Sequence, residues 1–393
     1  MNPFLRPSIE NNSRRNQKTL LLVPIFQTGL FLFVIIQITL VNKERSTTMP
    51  NSQINPRLIQ LLLNQENGNI PKSPTMSMLT GKYVKTILKN KDSLTQIIKE
   101  NYQMLTCKSC GRKGKYDIGL LVLNLEKKKT EGMKDNIQTT GYFRCKHCNS
   151  AGNWELPTSL IMLSMMSVLP FGEGTQKQST VGKNLLFDGS WHRYTTDAEE
   201  HLLNILKENP QDSFVWNRLG NLYHKGNRPE LAVSAFEHSI LIDPGQTESH
   251  FTLGDMLAQI SDLPNAGYHF RQMLLSASAY KKMPADKLRE MLAIGLQLLF
   301  LMSEHTDGEV PFLPTLHEIE ASGLKDDSLN RSIAEIELEI FPDNIESFFP
   351  LAEIYMGIRA KEIPIRKRAL QMKNSSSLKP KMQNGKKKKK RKR

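Results

Sequence analysis

The sequence predicts a mostly α-helical chain with a small β insert and a disordered basic tail. Three observations carry that reading. From Asp197 onward, apolar residues recur at helical spacing almost to the end of the chain. Between Cys107 and Cys148, β-forming runs lie between two CxxC pairs that hold all four cysteines. The last eight residues, KKKKKRKR, have no apolar surface to offset the entropy of ordering.

With 393 residues, the chain is long enough for two or three ordinary domains. Its 39% apolar share suits a globular, helix-rich protein. The net charge of +14 is unevenly placed: the last eight residues contribute +8 and the other 385 only +6. Cys107–Cys148 carries ten Lys/Arg against four Asp/Glu, whereas Asp197–Tyr280 carries eleven acidic residues against five basic. A basic region, an acidic region and a basic tail are therefore separate surfaces.

Leu20–Val41 is a 22-residue apolar run, and about 20 such residues cross a bilayer as a helix. Arg14, Arg15 and Lys18 precede it, Lys43-Glu44-Arg45 follow, and no small-residue cleavage site is present. Two readings of residues 1–48 stand side by side. In one they are a genuine single-pass membrane anchor, whose cationic flank favours a cytoplasmic N-terminus. In the other, Lys43-Glu44-Arg45 reflects a purine-rich ribosome-binding sequence, translation starts at Met49, and the protein is cytoplasmic. N-terminal mass spectrometry separates them: a native peptide from residues 1–48 eliminates the second.

In residues 49–106, PRLIQLLLNQ and KYVKTILKNKDSLTQIIKENYQML predict two helices parted by Gly68, Pro71 and Pro74. In residues 107–156, YDIGLLVLNL predicts one strand, TTGYFRC a second and NWEL a third, with EKKKTEGMKDN as a polar loop. The connector, residues 157–192, offers SLIMLSMMSVL as a buried helix and FDG as a turn.

The cysteines form Cys107-x2-Cys110 and Cys145-x2-Cys148, with 34 residues between the pairs. Two-residue spacing lets a tight turn aim both sulfurs at one ion, and two such turns close a tetrahedron of thiolates around Zn2+. Gly111 and Asn149 follow the pairs, and both residue types tolerate the positive φ that such turns require. A redox pair belongs at a helix start beside a βαβ pattern, and strands follow here instead. Disulfides are rare in the cytoplasm. The segment resembles a zinc ribbon in its CxxCG opening, strand content and second CxxC. The resemblance implies a structural ion, since four thiolates leave no position for water or substrate. His147 is expected to be a bystander.

Trp216-x2-Leu219-Gly220-x2-Tyr223, then Ala232-x3-Phe236, then Pro244 follow a 34-residue pattern. A shift of 34 finds Leu253, Gly254, Ala266 and Phe270, and a shift backward finds Ala198, Leu202 and Pro210. FFPLAEIY returns the first-helix pattern at Phe348, Leu351, Ala352 and Tyr355. On these residues the chain resembles a tetratricopeptide-repeat protein over residues 193–280, with a degenerate continuation over 281–372. Met291–Met302 is expected to pack on the end of the array. The resemblance implies a groove that grips a protein or peptide, lined by Phe214, Asn217, Arg218, Asn221, His224 and Lys225. In the second repeat it is lined by Glu248, Phe251, Thr252 and Asp255. Asn217 stands where the chaperone-binding carboxylate clamp has a lysine, so that specific partner is not implied.

Residues 373–393 form the tail. Lys386, Lys387, Lys388, Lys389, Lys390, Arg391, Lys392 and Arg393 suit any polyanion, such as RNA, DNA or a ribosome surface, but lack interleaved aromatics for base stacking. No Walker A loop, GxGxxG, HExxH or GxSxG occurs, so nothing points to an enzyme. The leading expectation is a non-enzymatic adaptor with a structural Zn2+. The first alternative is a nucleic-acid- or ribosome-associated factor using the basic ribbon and tail; the second is a single-pass, membrane-anchored form of the adaptor.

Overall fold

The computed structural model describes residues 19–27, 30–38, 52–64, 69–125, 136–166, 179–323 and 338–370. The chain divides into two units, Met1–Pro50 and Asn51–Arg393. In the first, the apolar run forms strands β1 (Thr19–Gln27) and β2 (Leu30–Ile38), antiparallel with Val23 opposite Val34. The expected single helical span is thus replaced by a hairpin. Ile, Val and Phe make up most of β2 and recur in β1 beside three leucines, and β-branched and aromatic side chains favour the extended backbone. No helix among the described residues is long and apolar enough to cross a membrane.

The second unit opens with helices α1 (Pro56–Leu62) and α2 (Val84–Lys89). Asn55 caps α1 by accepting from the Arg57 N–H, and Pro56 presets its first turn. The helix expected over residues 82–105 ends early. Asn90 caps α2, and Tyr102–Cys107 joins a sheet as β3. In β3 the side chains alternate out and in, so Leu105 and Cys107 are buried while Tyr102 and Met104 face outward.

β3 pairs antiparallel with β4 (Lys113–Asp117) and with β7 (Trp154–Glu155). A second small sheet has β5 (Leu121–Leu123) between β6 (Ile137–Thr139) and β8 (Ser179–Val181). The single strand expected over YDIGLLVLNL is therefore two, broken at Gly119, whose φ of 62° lies in the left-handed region. The strand expected over TTGYFRC stops at Thr139; Tyr142 then turns onto the helical part, its N–H donating to the Gly226 carbonyl. NWEL supplies β7 as expected. Helix α3 (Thr158–Met166) matches the apolar segment, with Leu160 and Ile161 buried and Met162 exposed. The lysine loop over residues 126–135 lies outside the described residues.

The rest is helical: α4 (Thr195–Glu208), α5 (Ser213–Lys225), α6 (Pro229–Ile242), α7 (Thr247–Gln259), α8 (Leu263–Ser276) and α9 (Ala285–His305), followed by the short α10 (Leu316–Ala321) and α11 (Phe349–Met356). Each partnership of α5 with α6, and of α7 with α8, is an antiparallel hairpin joined by three residues. Asp212 caps α5 through the Val215 N–H, and α6 ends just ahead of Pro244.

Gly220 explains how closely the first hairpin packs: a Cβ there would stand 2.5 Å from the Phe236 ring. Thirty-four residues on, Gly254 meets Phe270 in the same way, at 3.2 Å. Trp216, Leu219, Tyr223, Ala232 and Phe236 are fully buried between the helices. Helix α9 packs on α8, with Gly295 against Met273 and Phe270, so Met291–Met302 does cover that end. Phe348 and Ala352 are also buried, and α11 lies on α9. Helices α1 and α2 pack on α4 and α6, so Ile54, Leu58, Ile59, Leu62, Tyr83, Val84 and Ile87 belong to the same apolar core as the hairpins.

Candidate metal centre and helical groove

The four cysteine Sγ atoms lie within 4.8 Å of one another, contributed by two turns of matching construction. In the first, the Cys107 N–H donates to the Arg112 carbonyl at 3.0 Å and the Gly111 N–H donates to the Cys107 carbonyl at 2.8 Å. In the second, the Cys145 N–H donates to the Ser150 carbonyl and the Asn149 N–H to the Cys145 carbonyl, both at 2.9 Å. Gly111 and Asn149 have φ of 72° and 57°, so both adopt the left-handed backbone the pattern requires. The sulfurs meet crosswise, Cys107 to Cys148 at 3.8 Å and Cys110 to Cys145 at 3.7 Å. A disulfide needs about 2.05 Å, so these are not bonded pairs. Four soft donors at such separations can hold one metal ion.

The surroundings hold the sulfurs in place. Tyr116 OH reaches Cys145 Sγ at 3.8 Å and accepts the Lys146 N–H, while the His147 N–H donates to Cys145 Sγ at 3.4 Å. Burial opposes ionisation of the Cys145 thiol, but backbone N–H donors from Cys148 and His147 outweigh it and bring it down to about 6. Burial pushes the Cys148 thiol up to about 12. The His147 ring contacts Arg112, not the sulfurs. Beneath them lie Tyr116, Phe143 and Trp154, with ring centroids 4.7 to 5.7 Å apart.

A buried ionic cluster ties this module to the helices. Glu199 on α4 is fully buried and accepts from Tyr142 OH, Tyr223 OH, Asn55 Nδ2 and the Arg144 guanidinium, all at 2.7 to 3.0 Å. Burial pushes its carboxyl above the ordinary value, and the Arg144 charge opposes that. Arg144 immediately precedes Cys145 and also donates to the Asn149 carbonyl; Asn149 Nδ2 donates to the carbonyls of Ile54 and Lys72. The second cysteine turn is therefore fastened to α1, α4 and α5 together. Nothing in the spacing of these residues marks them. Adjacency of Arg144 to Cys145 was the one available signal.

The expected groove residues divide into two groups. Asn217 is buried and donates to Ser249 Oγ at 2.8 Å, while Arg218 pairs with Glu248 and lies 4.5 Å from the Phe214 ring centroid. Tyr280 OH also donates to Glu248, and Phe187 stacks edgewise on Phe214. These positions are thus engaged within the chain. Asn221, His224, Phe251, Thr252 and Asp255 are partly exposed, and Lys225 is exposed. Asp255 accepts from Gln259, and burial pushes the His224 imidazole down. His224 and Asn227 also line a cavity of about 260 Å³ beneath the crossing segment Lys91–Glu100. Lys386–Arg393 lie outside the described residues.

No family model, curated protein or solved structure matches this chain.

Proposed function

We propose that the protein is a non-enzymatic adaptor, in which tetratricopeptide-like hairpins hold a protein or peptide partner and a structural Zn2+ fastens the adjoining ribbon. One observation carries the binding role. The glycine–phenylalanine closure of the first hairpin, Gly220 on Phe236, recurs 34 residues later as Gly254 on Phe270. Repeating hairpins of this kind stack side by side, and their first helices form an extended surface suited to a peptide. Lys225 offers that surface a cation, Asn221 its second amide N–H, Phe251 the open edge of a ring packed on Phe270, and Thr252, whose hydroxyl donates to the Glu248 carbonyl, an acceptor only.

Distance and donor type support Zn2+ as the ion. Four thiolates about 2.3 Å from one Zn2+ stand about 3.8 Å apart in a tetrahedron, which matches the crosswise contacts Cys107–Cys148 and Cys110–Cys145, with every sulfur within 4.8 Å of the others. Cys107, Cys110, Cys145 and Cys148 would hold the ion and fill its coordination, so it supplies folding energy.

The test is crosslinking pull-down from native extract, with and without nuclease, using wild type and a Lys225→Glu/Phe251→Asp variant. Capture should survive nuclease and be lost in the variant. Capture that vanishes with nuclease, or that ignores both substitutions, rejects the adaptor reading.

A further inference from the structure

The hairpin of β3 and β4 has one face that the core does not use. Alternation buries Leu105, Cys107 and Tyr116 and leaves Tyr102 and Met104 on the outer side of β3, about half exposed, at 48% and 56%. The pairing of Met104 with Lys115 and of Thr106 with Lys113 puts two lysines on that same side. Lys115 Nζ stands 5.1 Å from the Tyr102 ring centroid. At the hairpin tip, the first cysteine turn adds exposed Lys108 and Arg112. Among the described residues, none of these four cations makes an ion pair with a carboxylate. Three carboxylates border the face: Glu100 hydrogen-bonds to the Tyr102 hydroxyl, Glu155 stands opposite Thr106 at the β7 edge, and Asp117 is tied to backbone N–H groups of Asn101 and Gly119.

We propose that this face binds single-stranded nucleic acid, with Tyr102 as the stacking platform and Lys113, Lys115, Lys108 and Arg112 tracking the phosphates. An accessible ring among cations is the combination that single strands need: the base supplies a π-face and the backbone supplies regularly spaced charge. Duplexes keep their bases stacked and offer nothing to Tyr102. An acidic peptide would satisfy the lysines but leave the ring without a planar partner. The metal turn gives the tip its shape, so phosphate contacts from Lys108 and Arg112 depend on the cysteines being assembled. This role goes beyond the adaptor reading and does not require the helical groove.

Fluorescence anisotropy on the full, metal-loaded chain tests it, with a labelled oligouridine of about ten nucleotides, within the usual span of such sites. The tail is common to every variant, so ratios isolate the face. Tyr102→Ala should weaken binding about tenfold, whereas Tyr102→Phe should bind as wild type does. Arg112→Gln/Lys113→Gln/Lys115→Gln should flatten the dependence of log affinity on log salt by about 2, since each phosphate contact contributes about 0.7. Metal content and the Trp154 signal should be unchanged in all variants. Wild-type affinity in Tyr102→Ala overturns the proposal. So does a decaglutamate peptide that binds as tightly as the oligouridine and responds to the same substitutions.

Discussion

Around Trp154 the interior is a cluster of fourteen described apolar side chains, two of them the cysteines Cys107 and Cys145; around Trp216 it is a continuous core of forty-two. The difference in size bears on how each is held together. A core of fourteen buries too little surface to offset chain entropy alone, so a module of this size needs an added staple. The helices need none, because each hairpin covers its neighbour's apolar face. The two meet at Glu199, where a carboxylate on α4 accepts from Arg144, beside the second cysteine turn, and from Tyr142, whose ring sits in the larger core. Their stabilities are consequently coupled although their cores are separate.

Breaking the fastening should separate the two regions most sharply. Chelation, or Cys145→Ser, should remove the ion and dissolve the Trp154 environment, since metal binding in small modules is folding energy, about 10–16 kcal/mol in isolated units. With 5-fluorotryptophan incorporated, 19F NMR should show the Trp154 resonance collapsing while that of Trp216 persists. A Trp154 resonance indifferent to chelation would show that the apolar cluster suffices.

Breaking the joint comes next. Glu199→Ala takes the nearer carboxylate from buried Arg144 and leaves it only Glu200 at 3.7 Å, a loss of about 3 kcal/mol. Urea unfolding should shift by that amount, with both tryptophan resonances moving together. A shift under about 1 kcal/mol would mean the cluster is not a joint.

Acid should act on the helical region through two buried histidines. His250 and His269 are buried with their Nδ1 atoms 2.9 Å apart. His250 Nε2 faces the Pro244 carbonyl and so carries the proton, which makes its Nδ1 the acceptor and His269 Nδ1 the donor. Burial pushes both imidazoles down, His250 to about 4 and His269 well below its ordinary value, the latter with help from His250 and Lys82. As pH falls through about 6.5 the unfolded chain takes up protons and the folded chain does not. Stability contributed by His250 is therefore full above that value and falls, by on the order of 3 kcal/mol, as pH drops to about 4. Denaturation curves at pH 7, 5.5 and 4.5 measure it, and His250→Gln should flatten the trend.

The smallest effect compares the two repeats. Gly220→Ala puts a methyl 2.5 Å from the Phe236 ring and should cost about 1–3 kcal/mol, as overpacking does. Gly254→Ala, at 3.2 Å from Phe270, should cost less than about 1 kcal/mol. Equal melting temperatures for the two variants would remove the packing distinction between the hairpins.

How much was legible depended on the range over which each signal acts. Cysteine spacing and the residues after each pair anticipated both turns, because a knuckle is local geometry that Gly111 and Asn149 encode directly. Trp216, Gly220 and Phe236 disclosed the hairpin because helix contacts recur at fixed sequence intervals. The extended segment Tyr102–Cys107 was hidden inside a helical pattern: Met104 and Leu105 read equally well as either, and only pairing with Lys113–Asp117 favours the strand. Leu20–Val41 shows the same ambiguity at larger scale. Its hydrophobicity suits a spanning helix, while its β-branched residues suit the hairpin found.

Local pattern alone determined the helical hairpins, the positions of their caps and the grouping of four sulfurs, since each rests on residues a few positions apart or on a fixed repeat. Tertiary structure alone decided that Asn217 and Arg218 are spent on internal contacts, that Glu199 joins the two regions, and that Tyr102 faces outward among lysines. Those outcomes depend on which distant surfaces meet, and burial of a polar group is settled by what arrives to satisfy it rather than by its neighbours in the chain.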